Sequence, residues 1–197
     1  VVRFYQVFGR KTGTVTRLNA EYWISKLNLI PHPEGGYYRR TYQCAEKISD
    51  KELSVEFSDQ RMLATSIYFL LTVDEVSNFH RLKSDEIWYF HAGAPLTVYV
   101  IHENGALEEM HLGLDLEKGQ VPQVTVPKGT IFGSKLMALD EQTEDDYALV
   151  SCMVTPGFDY RDFELFSRSE LLAMYPQHED IILELTRETS DVPFVTS

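Results

Sequence analysis

The sequence predicts an all-β barrel or sandwich with short helices at its ends. Short runs rich in Ile, Val, Tyr, Phe and Thr recur from Met62 onward, and turn signals such as Glu103-Asn104-Gly105 and Pro127-Lys128-Gly129 fall between them. No internal repeat, coiled-coil heptad or low-complexity tract competes with that pattern.

Strands are expected at about 36–43, 63–72, 75–82, 85–91, 96–102, 107–113, 121–126, 131–137, 147–155 and 161–166. Ahead of them Asn19 can cap a helix over 20–29, whose apolar face is Tyr22, Ile24, Leu27 and Ile30 and which Pro31 and Pro33 end. Residues 45–61 are polar and lack period-two alternation, so they read as a surface loop. Two helices close the chain, one over 168–174 starting from Ser167 and one over 178–187 after Pro176.

At 197 residues the chain suits one domain, placed at 21–187, between an N-terminal extension (1–20) and a tail (188–197) that is disordered or draped on the surface. The net charge of −12 repels phosphate backbones, so neither nucleic acid nor an anionic membrane is expected as a partner. Apolar runs such as 66–71 are too short to span a bilayer. Residues 1–20 carry Arg3, Arg10, Lys11 and Arg17 and no acid. That suits an upstream exon or an appended extension more than an organellar transit remnant. Cys44 and Cys152 are far apart and in no metal-like spacing, which fits a reducing, cytoplasmic setting.

One stretch has a His at 80, a Glu six residues on and a Gly seven beyond that, at 93; Pro127-Lys128-Gly129 follows later. Taken with the strand spacing, these two motifs resemble those of the cupin superfamily. The segment Pro31-His32-Pro33-Glu34-Gly35-Gly36-Tyr37-Tyr38-Arg39-Arg40, with Ser66-Ile67-Tyr68-Phe69-Leu70-Leu71 and Thr155-Pro156-Gly157-Phe158-Asp159, is similar to the cupin-five family, a domain of unknown function, over about residues 21–187. The resemblance implies a cupin double-stranded β-helix, or jelly-roll barrel, a homodimer and no settled activity. Metal-binding cupins present a His-x-His, a Glu and a further His. This chain keeps His80 and Glu86 but has Leu82 and Phe132 at the other two positions, which donate no lone pair. A tightly held divalent metal is therefore not expected; were one bound, His80 and Glu86 would hold it, and His32 or Glu34 would have to complete the set.

Strand alternation puts Glu86, Trp88 and Phe90 on one face, and with His80 and Phe132 they would line an apolar lumen suited to a small polar or sugar-like ligand. Ile87, Tyr89 and His91 then face outward, as do His102 and His111; His178 opens the last helix. His32 is a structural, dimer-contact or pocket residue. Further along the chain, Glu34, Tyr37, Arg39 and Tyr68 are candidates for ligand binding: Tyr37 shares a strand face with Arg39, and Tyr38 shares the other with Arg40. His80 also occupies the position of the base in the dTDP-sugar epimerases, with Tyr147 a few residues from the place of their acid.

The function these residues suggest is binding of a small polar or sugar-like molecule in the lumen, with metal-independent isomerisation or epimerisation as the reaction. His80 would be the base and Glu86 its orienting partner. A non-enzymatic binding protein and a metal-dependent oxygenase or isomerase are the alternatives.

Overall fold

The computed structural model describes residues 18–54, 57–138, 143 and 146–188. Most of the expected N-terminal extension and tail lies outside the described residues. Asn19 caps α1 (Ala20–Leu27) by accepting the Tyr22 N–H, and the helix stops at Asn28, whose left-handed backbone turns the chain toward the prolines. Among the described residues thirteen strands follow: β1 (Ile30–Pro31), β2 (Tyr37–Gln43), β3 (Lys47–Ile48), β4 (Arg61–Met62), β5 (Thr65–Thr72), β6 (Ser77–Leu82), β7 (Asp85–Gly93), β8 (Leu96–Ile101), β9 (Leu107–Leu112), β10 (Gln123–Val126), β11 (Ile131–Leu136), β12 (Tyr147–Thr155) and β13 (Phe163–Leu165). The chain ends in α2 (Arg168–Met174) and α3 (Glu179–Glu184), the first held by a Ser167/Glu170 capping box.

Two antiparallel sheets face each other, one ordered β1-β2-β5-β12-β7-β10 and the other β13-β6-β11-β8-β9. Their inner faces meet in one apolar layer, to which the first sheet gives Phe69, Leu71, Trp88, Val150 and Cys152 and the second Leu82, Leu96, Val98, Val100 and Phe132. The outer faces are covered by helices. α1 lays Trp23, Ile24 and Leu27 on Leu70, Tyr147 and Leu149, while α2 and α3 bring Leu171 and Ile182 onto Phe79, Ile101 and Ile131. This four-layer stack, two sheets between helices, is a mainly β barrel with short terminal helices.

The described residues of the 45–61 segment are mostly exposed, as expected of a surface loop, but the segment is anchored at three points. β3 pairs with β4, Phe57 is buried, and the Arg61 guanidinium is 2 % exposed. A polar composition hid this, because the anchor is itself a charge: Arg61 Nε and Nη2 donate to the two oxygens of Asp162 at 2.6 and 2.8 Å. That pair ties the segment to residues 158–162, which form part of the cavity wall described below. Arg61→Leu would leave the Asp162 carboxylate buried with only Lys83 Nζ at 3.5 Å, so a loss of about 3–5 kcal/mol is expected in chemical denaturation. By contrast Arg161→Ala, on a half-exposed guanidinium, is expected to leave the denaturation midpoint nearly unchanged.

Candidate functional site

Between the two sheets, at one end of the barrel, lies a cavity of about 510 Å³, its open mouth included. Tyr38 and Arg40 reach it from β2, Thr65, Ile67 and Phe69 from β5, Cys152 and Val154 from β12, Glu86 from β7, and His80 and Leu82 from β6. His32 and Glu34 enter from the turn before β2, and Phe158 and Tyr160 from the segment after β12. The lower wall is apolar and the polar groups converge on one side, as small-molecule sites do.

The turn over residues 32–36 places Glu34 there. Gly35 and Gly36 have positive φ, and a Cβ on Gly35 would come within 2.0 Å of the Val76 carbonyl oxygen. The glycine pair therefore lets the turn lie directly on the start of β6, where the Glu34 carbonyl accepts the Asn78 backbone N–H at 2.8 Å and its side-chain amide at 2.5 Å. The Glu34 side chain then points inward, and its Oε1 accepts the Ser77 hydroxyl at 2.9 Å.

Glu34 Oε2 lies 3.4 Å from both His32 Nδ1 and His80 Nε2. Hydrogen bonding fixes both tautomers. His80 Nδ1 sits 2.8 Å from the Asn78 carbonyl oxygen, which only accepts, so Nδ1 carries the hydrogen and Nε2 of the neutral ring is a lone pair. His32 Nδ1 accepts the Glu34 backbone N–H at 3.3 Å, so it too is a lone pair in the neutral ring. The bare His80 Nε2 and Glu34 Oε2 thus face each other, a contact that needs a proton on one of the two atoms, while the His32 lone pair is already taken by the Glu34 N–H. Burial weighs against any charge here: it raises the Glu34 pKa, against the opposing pull of His32 and the Ser77 hydroxyl, lowers that of His32, and brings His80 to about 4. Burial thus favours the neutral arrangement, with the hydrogen on Glu34 beside a neutral His80, over an imidazolium–carboxylate pair.

His80 and Glu86 share the lumen without forming the expected pair. The carboxyl partner of His80 is Glu34, and the Phe132 ring lies against the imidazole at 4.1 Å between centroids. Glu86 stands instead beside the Cys152 thiol, and burial, with the nearby Glu34 adding to it, lifts its pKa to about 8. Hydrogen bonding from the Trp88 indole N–H and the Cys152 thiol pulls the other way.

The other candidates divide by strand face. Trp88 and Phe132 are buried in the core layer, and Phe90 packs against it; none of the three lines the open cavity. Tyr37, Arg39 and Tyr68 lie on the outside of the first sheet: Tyr37 and Tyr68 pack around α1, and Arg39 Nη1 donates to the Leu27 carbonyl at 3.1 Å. The pairing of Tyr38 with Phe69 turns Tyr38 and Arg40 inward in their stead, so the tyrosine-arginine face at the mouth is the opposite one. Tyr147 also faces outward, its hydroxyl accepting the Trp23 indole N–H at 2.7 Å. The tyrosine that sequence reasoning missed is Tyr160, at the mouth beside Tyr38. His32 belongs to the cavity, while His91 is exposed on the outer face, hydrogen-bonded to Ser151.

The four-ligand set of metal-binding cupins is incomplete here. Leu82 and Phe132 fill two of the positions where metal-binding cupins carry imidazoles, and both are buried apolar side chains. Among the described residues no group of three or more His, Cys, Asp or Glu side chains is arranged to hold an ion.

The geometry defines a cupin barrel whose cavity brings together His32, Glu34 and His80, with Glu86 in the same wall. Over residues 21–166 the chain matches the model of the Cupin superfamily family DUF985, and it belongs to that family. Solved relatives share the fold at high similarity. A hypothetical protein from Leishmania major is 42% identical, with a TM-score of 0.79, covering 87% of this chain and 100% of that one. A protein from Shewanella oneidensis is 48% identical, with a TM-score of 0.77, covering 88% and 100%. An uncharacterized protein of Saccharomyces cerevisiae is 29% identical over 145 residues, 71% of each chain.

The Glu86 carboxyl sets a pH test of stability. Its folded pKa of about 8 exceeds the ordinary value of 4.5, so between those pH values the folded state binds a proton that the unfolded state releases. Stability from this group is full below pH 4.5 and falls as pH rises toward 8. Glu86→Gln is expected to melt higher relative to wild type at pH 8 than at pH 5, measured by thermal unfolding across that range.

Proposed function

We propose that the cavity binds a small polar or sugar-like molecule and that the protein moves a proton on it without a metal, as an isomerase or epimerase, with His80 Nε2 as the base. The observation that carries this is the state of His80. Its Nδ1–H is committed to the Asn78 carbonyl, which leaves a neutral Nε2 lone pair in a closed pocket. A base needs that form, and burial keeps it neutral down to a pH of about 4. A purely structural histidine would also satisfy the Asn78 carbonyl, but it would have no need of an adjoining cavity or of a carboxyl at its second nitrogen.

The test is exchange of solvent deuterium into carbon-bound positions. Chelator-treated protein in D₂O is incubated with a panel of aldoses, ketoses and sugar nucleotides, and incorporation is followed by NMR. Wild type is expected to label one class of compound, and His80→Asn to be slower by about 10²–10⁴-fold. Undiminished labelling by the variant would contradict the assignment of the base. A tightly held compound that never exchanges would favour the binding-protein reading.

A further inference from the structure

The cluster also says what kind of molecule the base would act on, an inference that rests on the reading of His80 as a base. We infer that Glu34 is the acid that works with His80, and that the substrate is a carbonyl compound with a hydrogen on the neighbouring carbon, such as a hydroxyketone, rather than a fully reduced polyol. Three observations lead there. The two reactive atoms, His80 Nε2 and Glu34 Oε2, lie side by side at 3.4 Å in one cavity wall. With Nε2 fixed as a lone pair, the neighbouring carboxyl oxygen is the place for the hydrogen, as derived above. The Glu34 side chain is held from behind by the Ser77 hydroxyl and its backbone by Asn78, so Oε2 is the oxygen left for a ligand.

In a unit H–C–C=O the carbon that loses hydrogen and the carbonyl oxygen are about 2.4 Å apart, from standard bond lengths. A base and an acid 3.4 Å apart can address both atoms of one such unit at once. The step balances within the site. The C–H bond breaks as the His80 Nε2–H bond forms, and the released pair becomes the C=C bond of an enol. The carbonyl π pair takes the Glu34 proton as its O–H bond. Two neutral side chains become an imidazolium and a carboxylate in contact, so the buried site gains no net charge and the new charges attract. Delivery of a proton from solvent to the other face of the same carbon, with the enol hydroxyl proton returning to Glu34 and the His80 proton leaving to solvent, gives epimerisation. Return of the His80 proton to the former carbonyl carbon, with the hydroxyl proton of the neighbouring position going back to Glu34, gives isomerisation.

Glu86 does not fill this role, because its carboxyl stands by Cys152 and is not the partner of His80. His32 shares the same carboxyl oxygen from the far side. It is a positioning residue whose Nδ1 accepts the Glu34 backbone N–H and so helps hold the turn that carries the carboxyl.

The experiment compares wild type, His80→Asn and Glu34→Gln by the same deuterium exchange, with dihydroxyacetone and glycerol as a matched ketone and polyol whose binding is measured by ligand-observed NMR. Glutamine keeps the Ser77 contact and the shape of the side chain but has no acidic proton. Expected are exchange at a carbon next to a carbonyl, a loss of about 10²-fold or more in Glu34→Gln, tighter binding of dihydroxyacetone than of glycerol, and dihydroxyacetone affinity within about threefold of wild type in the variant. Wild-type exchange rates by Glu34→Gln would overturn the acid and leave the His80 reading standing. Exchange confined to carbons without a neighbouring carbonyl would overturn the substrate class. No exchange by wild type on any compound would remove the base itself and this inference with it. If Glu34→Gln fails to fold, Glu34→Asp asks the same question, since it keeps the acid but withdraws it by one carbon. A loss beyond about tenfold is expected, and unchanged exchange would contradict the acid.

Discussion

The site depends on how the turn over residues 32–36 docks onto the start of β6. The Glu34 carbonyl takes both the backbone and the side-chain N–H groups of Asn78, and the carbonyl of that same Asn78 takes the Nδ1–H of His80. One residue thus fixes the position of the carboxyl and the tautomer of the imidazole. The dock closes only because Gly35 has no Cβ to meet the Val76 carbonyl. Without it the carboxyl and the ring would lie on separate elements with no fixed distance between them.

Around that dock the barrel supplies the low dielectric in which the proton arrangement matters. Phe132 covers one side of the His80 ring and Leu82 follows it along β6. In water an imidazole and a carboxyl would settle as an ion pair. Here, enclosed by apolar walls, they settle as neutral neighbours, and their conversion to an ion pair is the charge movement that a proton transfer from carbon requires. The same replacement of imidazoles by Leu82 and Phe132 that leaves the four-ligand set of metal-binding cupins incomplete is what makes the cavity apolar enough for this behaviour.

The barrel was legible in the sequence because its signals are local. Runs rich in β-branched and aromatic residues such as 63–72 and 147–155, and turn residues such as Gly105 and Gly129 with positive φ, announce themselves within a few positions. His80 and Glu86 were visible through their motif, and Glu34 through the glycine pair beside it. The pairing of His80 with Glu34 was not visible, because it depends on a contact between residues 46 positions apart that no periodicity encodes. The inward face of β2 was undetermined for a related reason: Tyr37-Tyr38-Arg39-Arg40 carries the same residue types on both faces, so only the pairing of Tyr38 with Phe69 decides it. Arg61 was hidden because a buried guanidinium looks like a surface one until Asp162, 101 residues later, is in place.

The account stands on the protonation of three atoms, which ¹⁵N NMR of histidine-labelled protein reads directly. It predicts that at neutral pH His80 is a neutral ring with its hydrogen on Nδ1, titrating only near pH 4, and that His32 is neutral with Nδ1 bare. An imidazolium at His80 near pH 7, or a neutral His80 with its hydrogen on Nε2, would contradict it.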